Sequence, residues 1–336
     1  MPQPSGADAR RDPFGLGELR PGGSTDERRR YYRIAGITVQ VESDRPFQAD
    51  TFKPKFEAFA VDGPGEDTVV LHHHFEIPAL DGLDLGPRVY EQLPWAIHES
   101  LWGWTYIGIP PEPADRDAGP DRLVIVNHDH SESRFFNGRD QAAMFERGHL
   151  ASLTLLPTDQ VLLARLLADR GGCYLHSCGI VVDGAGVLFV GESGAGKSTA
   201  MEQFAAVSEP LCDDRNIVRV WPDGIRVHGT WSHGTVPIAS PGSAPLRAIC
   251  FLRHARENRV RPVSAPAEAV RGLVPRLVRP LVVGDWWPRT LDVVETIVRE
   301  VPCYELSLDR SGEIVDVLRA ALAEGTGAGA PAGTSG

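Results

Sequence analysis

The sequence predicts an α/β protein in two domains: a β-rich N-terminal domain over 30–152, then an α/β domain with a mixed sheet over 153–323. Three observations carry that prediction. The β-prone run Val187-Leu188-Phe189-Val190 leads into Gly191-Glu192-Ser193-Gly194-Ala195-Gly196-Lys197-Ser198, the strand–loop–helix pattern G-x-x-x-x-G-K-[ST]. The link Asp183-Gly184-Ala185-Gly186 joins that run to the strand before it and is far too short for a parallel crossover. Between 31 and 150, β-type runs recur, broken by Pro- and Asp-rich loops such as 110–121.

Taken in order, 1–29 is charged and Gly/Pro-bearing without periodicity, and is expected to be disordered. Tyr31 to Val41 has β-type composition with partial alternation, and Thr68 to Ile77 is a second strand. Trp104–Ile109 and Arg122–Val126 follow, and Ser133–Phe136 runs into Asn137-Gly138, a hairpin-type turn signal. Thr158 is placed to N-cap a helix whose apolar face is Val161, Leu162, Leu163, Leu166 and Leu167, ended by Gly171-Gly172. Cys173–Val182 and Val187–Val190 should then pair antiparallel through the short link. Beyond the glycine-rich loop, Pro210–Val220 ends one segment at the adjacent carboxylates and begins another strand, and Arg226–Thr230, Leu246–Leu252 and Cys303–Leu308 read as strands. Ala265–Val278, Pro288–Glu300 and Glu313–Ala323 read as helices, and 324–336 is a Gly/Ala/Thr tail expected to be disordered.

A chain of 336 residues, 42% hydrophobic, has room for two cores. Its net charge of −11 argues against general nucleic-acid or membrane-surface binding. No run approaches the roughly 20 apolar residues of a membrane span, and 1–30 has no apolar signal core. A cytoplasmic location is therefore expected. Cys173, Cys178, Cys212, Cys250 and Cys303 form no C-x-x-C pair and are expected as buried free thiols, with no spacing that supports zinc.

The loop's chemistry is legible residue by residue. Gly191, Gly194 and Gly196 let backbone N–H groups approach phosphate oxygens. Lys197 supplies a cation for the β- and γ-phosphates, the Ser198 hydroxyl can ligate Mg²⁺, and Thr199 continues a helix whose N-terminus faces the anion. Lysine is otherwise found only at 53 and 55, in a chain that uses arginine throughout. The adjacent carboxylates Asp213-Asp214, after Leu211, suit one metal-side ligand and one base.

These residues together resemble a known family. Leu175-His176-Ser177, the Asp183-Gly184 hairpin, Gly191 to Thr199 and Cys212-Asp213-Asp214-Arg215 are similar to the kinase domain of bacterial HPr kinase/phosphorylase. That domain shares a P-loop fold with phosphoenolpyruvate carboxykinase. The histidine precedes the lysine by 21 residues and the second aspartate follows it by 17, close to the family's layout. The resemblance covers roughly 155–320 and is more specific before 225 than after. It implies a phosphoenolpyruvate carboxykinase-like P-loop kinase domain. Gly191, Glu192, Ser193, Gly194, Ala195, Gly196, Lys197, Ser198 and Thr199 would bind ATP; Ser198 and Asp213 would serve Mg²⁺; Asp214 would be the base, with His176 and Lys197 beside it. The family's E-x-R-G-x-G signature is absent, and Val227-His228-Gly229-Thr230-Trp231-Ser232-His233-Gly234 stands in its place. The resemblance therefore does not extend to a phosphorylase reaction or to HPr as substrate. The chain looks more like stand-alone HPr-kinase-like proteins of actinobacterial and peptide-maturation contexts, some of which phosphorylate a serine of a precursor peptide. It also implies homo-oligomers by analogy.

The expected function is ATP- and Mg²⁺-dependent transfer of the γ-phosphoryl group to a hydroxyl, a serine of a peptide or protein partner. A small-metabolite kinase and a nucleotide-binding sensor without transfer are the alternatives. Other groups are weighed as structural first. His72-His73-His74 and His128-Asp129-His130 lack a third ligand in reach. Trp286-Trp287 reads as core or a domain contact. Arg253, Arg256, Arg259 and Arg279 are candidates for neutralising the γ-phosphate, and His228 and His233 for touching substrate.

Overall fold

The structure is a computed structural model, and its described residues are 27–80, 84–112, 119–156, 158–192, 194–254, 257–309 and 311–327. Most of the two tails expected to be disordered lies outside these residues, as do Ser193 and Arg256. Inside them, Arg29 already opens a strand and the last helix runs on to Gly327.

Two compact units divide the chain, Met1–Leu162 and Leu163–Gly336. The division falls ten residues beyond the expected 152/153 boundary. The added stretch is bound into the first unit by Asp159, whose carboxylate accepts from Ser152 Oγ (2.8 Å), Leu153 N (3.0 Å) and Thr154 N (2.9 Å).

The first unit holds β1 (Arg29–Ile34), β2 (Ile37–Ser43), β3 (Thr68–His74), β4 (Arg88–Gln92), β5 (Trp95–Ser100), β6 (Gly103–Gly108), β7 (Arg122–Asn127), β8 (Glu132–Asn137) and helix α1 (Arg139–Arg147). The strands form one sheet in the order β1-β2-β3-β8-β7-β6-β5-β4. Pairs β2–β3 and β3–β8 are parallel and the rest antiparallel. The run 31–41 is split into a hairpin because Ala35 and Gly36 both take positive φ (47° and 81°). Asn137-Gly138 is not a hairpin turn. Gly138 has φ −77° and precedes α1, while the buried Asn137 amide donates to the carbonyls of His74 and Phe135. Tyr32, Phe47, Phe52, Phe56 and Phe145 pack edge-on or tilted at centroid distances of 5.7–5.8 Å as an aromatic core. The histidine run is structural: His73 is buried with Nε2 2.8 Å from the Leu153 carbonyl, while His72 and His74 pair with Glu42 and Asp44.

The second unit follows from α2 (Gln160–Ala168), the helix within which the division falls. Thr158 Oγ1 accepts from Gln160 N at 3.2 Å, but α2 opens at Gln160, so Thr158 stands one residue before the N-cap position expected of it, which Asp159 occupies. Then come β9 (Gly172–Val182), β10 (Ala185–Val190), α3 (Lys197–Phe204), β11 (Ser208–Cys212), β12 (Arg215–Trp221), β13 (Gly224–His228), β14 (Ser243–His254), β15 (Arg259–Pro262), α4 (Pro266–Leu273), α5 (Trp286–Glu300), β16 (Cys303–Leu308) and α6 (Ile314–Gly327). The main strand order is β10-β9-β12-β13-β14-β16-β15, with β11 also on β9 and β10 also parallel to β14. Strands β9 and β10 are antiparallel neighbours, Ala185 opposite Val182, and the turn between them has positive φ at Asp183 (51°) and Gly184 (77°).

Helices cover both faces of this sheet. Ala200, Met201 and Phe204 of α3 and Leu318 of α6 pack on Ile180, Phe189 and Cys250. Leu273 of α4 and Trp286, Val294 and Ile297 of α5 pack on Leu175, Leu188 and Ile249. Each such buried aliphatic or aromatic side chain contributes about 1.5–3 kcal/mol. Trp286 is core as expected, its indole N–H donating to the Ala164 carbonyl at 3.0 Å. All five cysteines are buried and free. Among the described residues, no helix is long and apolar enough to cross a membrane.

Candidate functional site

The parallel strands β10, β14 and β16 point the same way, and the glycine-rich loop leaves the C-terminal end of β10. Gly194 (φ 80°) and Gly196 (φ 94°) occupy the left-handed region that favours glycine. At Gly191 a Cβ would lie 2.8 Å from the Cβ of Ala195, so the loop closes on itself only without a side chain there. Gly196 ends the loop as the N-cap of α3, and no side chain caps the helix. The first-turn amides of α3 are thus not satisfied by a cap, the condition an anion exploits.

Lys197 is buried, and its ammonium donates to the carbonyls of Gly191 (3.1 Å) and Glu192 (3.0 Å). Burial pushes it below the ordinary lysine value, and Asp214 opposes that shift. Ser198 is exposed and Thr199 half-buried. The Glu192 side chain points to solvent and pairs with Arg276 at 3.3 Å, so only its backbone carbonyl faces the lysine. Ser193, expected in the same cradle, lies outside the described residues.

The carboxylate pair is positioned by strand register. After a one-residue register shift in β11, Cys212 stands opposite Gly179 and Arg215 opposite His176, so the chain keeps one register along β9 from Cys212 into β12. Asp213 and Asp214 span the gap between them, and the Ser177 N–H donates to the Asp214 carbonyl at 3.0 Å. This brings the Asp214 carboxylate to His176, Nδ1 to Oδ1 3.3 Å, while Arg215 pairs with the other oxygen. Burial lowers the His176 pKa first; Asp214 raises it, and Lys197, Arg215 and Arg276 lower it further. His176 therefore lies in the field of Asp214, Lys197, Arg215 and Arg276, and Lys197 in that of Asp214 and Arg276, so the structure gathers the three expected catalytic residues.

Asp213, expected on the metal side, lies beside Asp214 with its oxygens on backbone amides. It is buried, and its carboxylate accepts from the backbone N–H groups of Gly234 (2.8 Å) and Val236 (2.9 Å). Sequence reasoning gave no role to Arg215, although it closes the quoted Cys212–Arg215 motif, and missed Arg276, which stands at the end of a 3₁₀ turn after α4. Nothing in its local sequence separates Arg276 from the many other arginines. Of the arginines that were named, Arg253 pairs with Glu305 at 3.2 Å and Arg259 lies on β15. His228 is buried with its pKa pushed down to about 4, its Nε2 accepting from the Trp221 indole at 3.3 Å. His233 lies next to Gly234, with Nδ1 3.1 Å from the Gly234 carbonyl.

Among the described residues no group of three His, Cys, Asp or Glu side chains converges as a metal centre. The uncapped loop, the buried ammonium and the exposed Ser198 hydroxyl fit a nucleotide–Mg²⁺ complex.

Comparison with known proteins gives two findings. Residues 152–274 match the family described as SynChlorMet cassette protein ScmC. Among solved structures, the chain is similar to the HPr(Ser) kinase/phosphatase from Coxiella burnetii, with 12% identity and a TM-score of 0.27, over 46% of this chain and 95% of that one. No curated protein matches.

Proposed function

We propose that the second unit is an ATP- and Mg²⁺-dependent phosphotransferase that moves the γ-phosphoryl group to a hydroxyl, a serine of a peptide or protein. One observation carries the reading: the Asp214 carboxylate, 3.3 Å from His176, shares a field with the buried Lys197 at the end of a glycine-rich loop. Backbone amides of 191–196 and of the first turn of α3 bind phosphate oxygens. The Lys197 ammonium exchanges its loop carbonyls for the β- and γ-phosphates, and Ser198 offers a hydroxyl to Mg²⁺. When bound, Mg²⁺ neutralises charge on those phosphates. Asp214 accepts the proton of the acceptor hydroxyl, and neutral His176 donates from Nδ1 to hold that carboxylate's orientation. Arg276, now on the exposed Glu192, is within electrostatic reach of the same centre. A small-metabolite acceptor would use the same residues.

One observation favours a nucleotide sensor instead: Asp213, the other carboxylate of the pair, is committed to backbone amides. Incubation with γ-labelled ATP, first alone and then with cell-extract fractions, separates these readings. Label on a macromolecule supports the serine kinase and label on a small molecule the metabolite kinase. Tight binding without turnover supports the sensor.

A further inference from the structure

The excursion from β13 to β14, residues 229–242, is closed at its base by Gly229 N–H to the Gly242 carbonyl (2.9 Å) and Ser240 N–H to the Leu211 carbonyl (3.1 Å). Its outer part runs back over the carboxylate pair. A Cβ at Gly234 would lie 3.0 Å from the Asp214 Cβ and 3.1 Å from Asp213 Oδ2, so bare backbone rests against the proposed base. Gly234, Thr235 and Pro237 are exposed on the other side. What holds this backbone there is Asp213, one carboxylate oxygen to Gly234 N–H and the other to Val236 N–H.

We infer that Asp213 is a positioning residue: it fixes the 232–237 segment against Asp214 as the wall past which the acceptor hydroxyl approaches, and it does not ligate magnesium. Each of its oxygens already accepts one backbone N–H, so the carboxylate is engaged in holding the segment and only its remaining lone pairs, in a buried group, are left for a cation. The carboxylate is also buried beneath the segment it holds. Mg²⁺ demands nearly ideal octahedral geometry and keeps several waters, which this enclosed carboxylate does not accommodate. The inference uses the phosphotransferase reading only in naming Asp214 as the base.

The test compares Asp213→Asn with Ser198→Ala in the full chain. Three quantities are read: amide hydrogen exchange across 232–238, the Mg²⁺ dependence of ATP binding by calorimetry, and steady-state ATP turnover in the presence of a cell-extract acceptor fraction. In Asp213→Asn one oxygen becomes an NH₂ facing an N–H donor. Exchange over 232–238 should rise about tenfold, as for loss of a charge-assisted hydrogen bond. The Mg²⁺ midpoint and the KM for ATP should stay within about twofold, and kcat should fall about tenfold. Ser198→Ala should do the reverse, shifting the Mg²⁺ midpoint and leaving the loop's exchange unchanged. Gly234→Ala keeps the Asp213 carboxylate but sets a Cβ 3.0 Å from Asp214 Cβ and 3.1 Å from Asp213 Oδ2, so the segment must shift by a few tenths of an ångström; it should lower kcat without a Mg²⁺ shift even if Asp213→Asn folds poorly. A large Mg²⁺ shift in Asp213→Asn with unchanged exchange over 232–238 overturns the inference. If the wild type turns over no ATP, the phosphotransferase reading fails, and exchange with Mg²⁺-dependent binding still decides the role of Asp213.

Discussion

His176 Nδ1 stands 3.3 Å from Asp214 Oδ1, and the pairing of β12 with β9 puts it there. Because Arg215 holds the other carboxylate oxygen, Asp214 is gripped from two sides and aimed rather than free. Asp214→Asn keeps the shape and one acceptor oxygen but cannot take a proton. Phosphotransfer should fall by about 10²–10⁴ while ATP affinity changes little. Parallel turnover and binding assays check this, and near-wild-type transfer would remove Asp214 from the role of base.

The ammonium of Lys197 is held by two loop carbonyls, poised where phosphate oxygens would replace them. Lys197→Ala should weaken ATP binding about tenfold or more, the scale of a lost charge-assisted bond of roughly 1.5–3 kcal/mol. The variant should remain folded by circular dichroism. Unchanged affinity in a folded variant would contradict the phosphate site.

Acid should destabilise both units through buried neutral histidines. His73 is pushed down to about 3 and His228 to about 4, each first by burial. The unfolded chain binds protons at these positions below pH about 6.5 while the folded chain does not, so stability falls as pH drops from there toward the folded values. Urea midpoints should be lower at pH 5 than at pH 7. His228→Gln should reduce that difference for the second unit, and an equal pH dependence in the variant would refute the assignment.

Much of the second unit was legible because its signals are local. The Asp183-Gly184 turn, the Gly191–Lys197 loop and the Cys303–Leu308 strand are written in adjacent residues. β4 and β5, α1 and the true role of Asn137-Gly138 were not anticipated. β4 carries mostly exposed side chains without apolar alternation, and Asn137 looks like a turn residue until its amide is seen buried under His74. In the site, the Asp213-Asp214 pair was visible, but the division of labour within it was not. That division depends on contacts more than 20 residues away, Asp213 to Gly234 and Val236, and on where strand register leaves Asp214. Arg276 was invisible for the same reason, its partner Glu192 being 84 residues distant.

The central claim is transfer of the γ-phosphoryl group to a serine hydroxyl, and acceptor labelling tests it most directly. Wild type, Lys197→Ala and Asp214→Asn are incubated with γ-labelled ATP, Mg²⁺ and a protein or peptide fraction of a cell extract, and the product is hydrolysed for phosphoamino-acid identification. The account predicts Mg²⁺-dependent phosphoserine with wild type, strongly reduced with Lys197→Ala and nearly abolished with Asp214→Asn. ATP that binds tightly and yields no labelled acceptor of any size, or phosphoserine formed equally by Asp214→Asn, would contradict it.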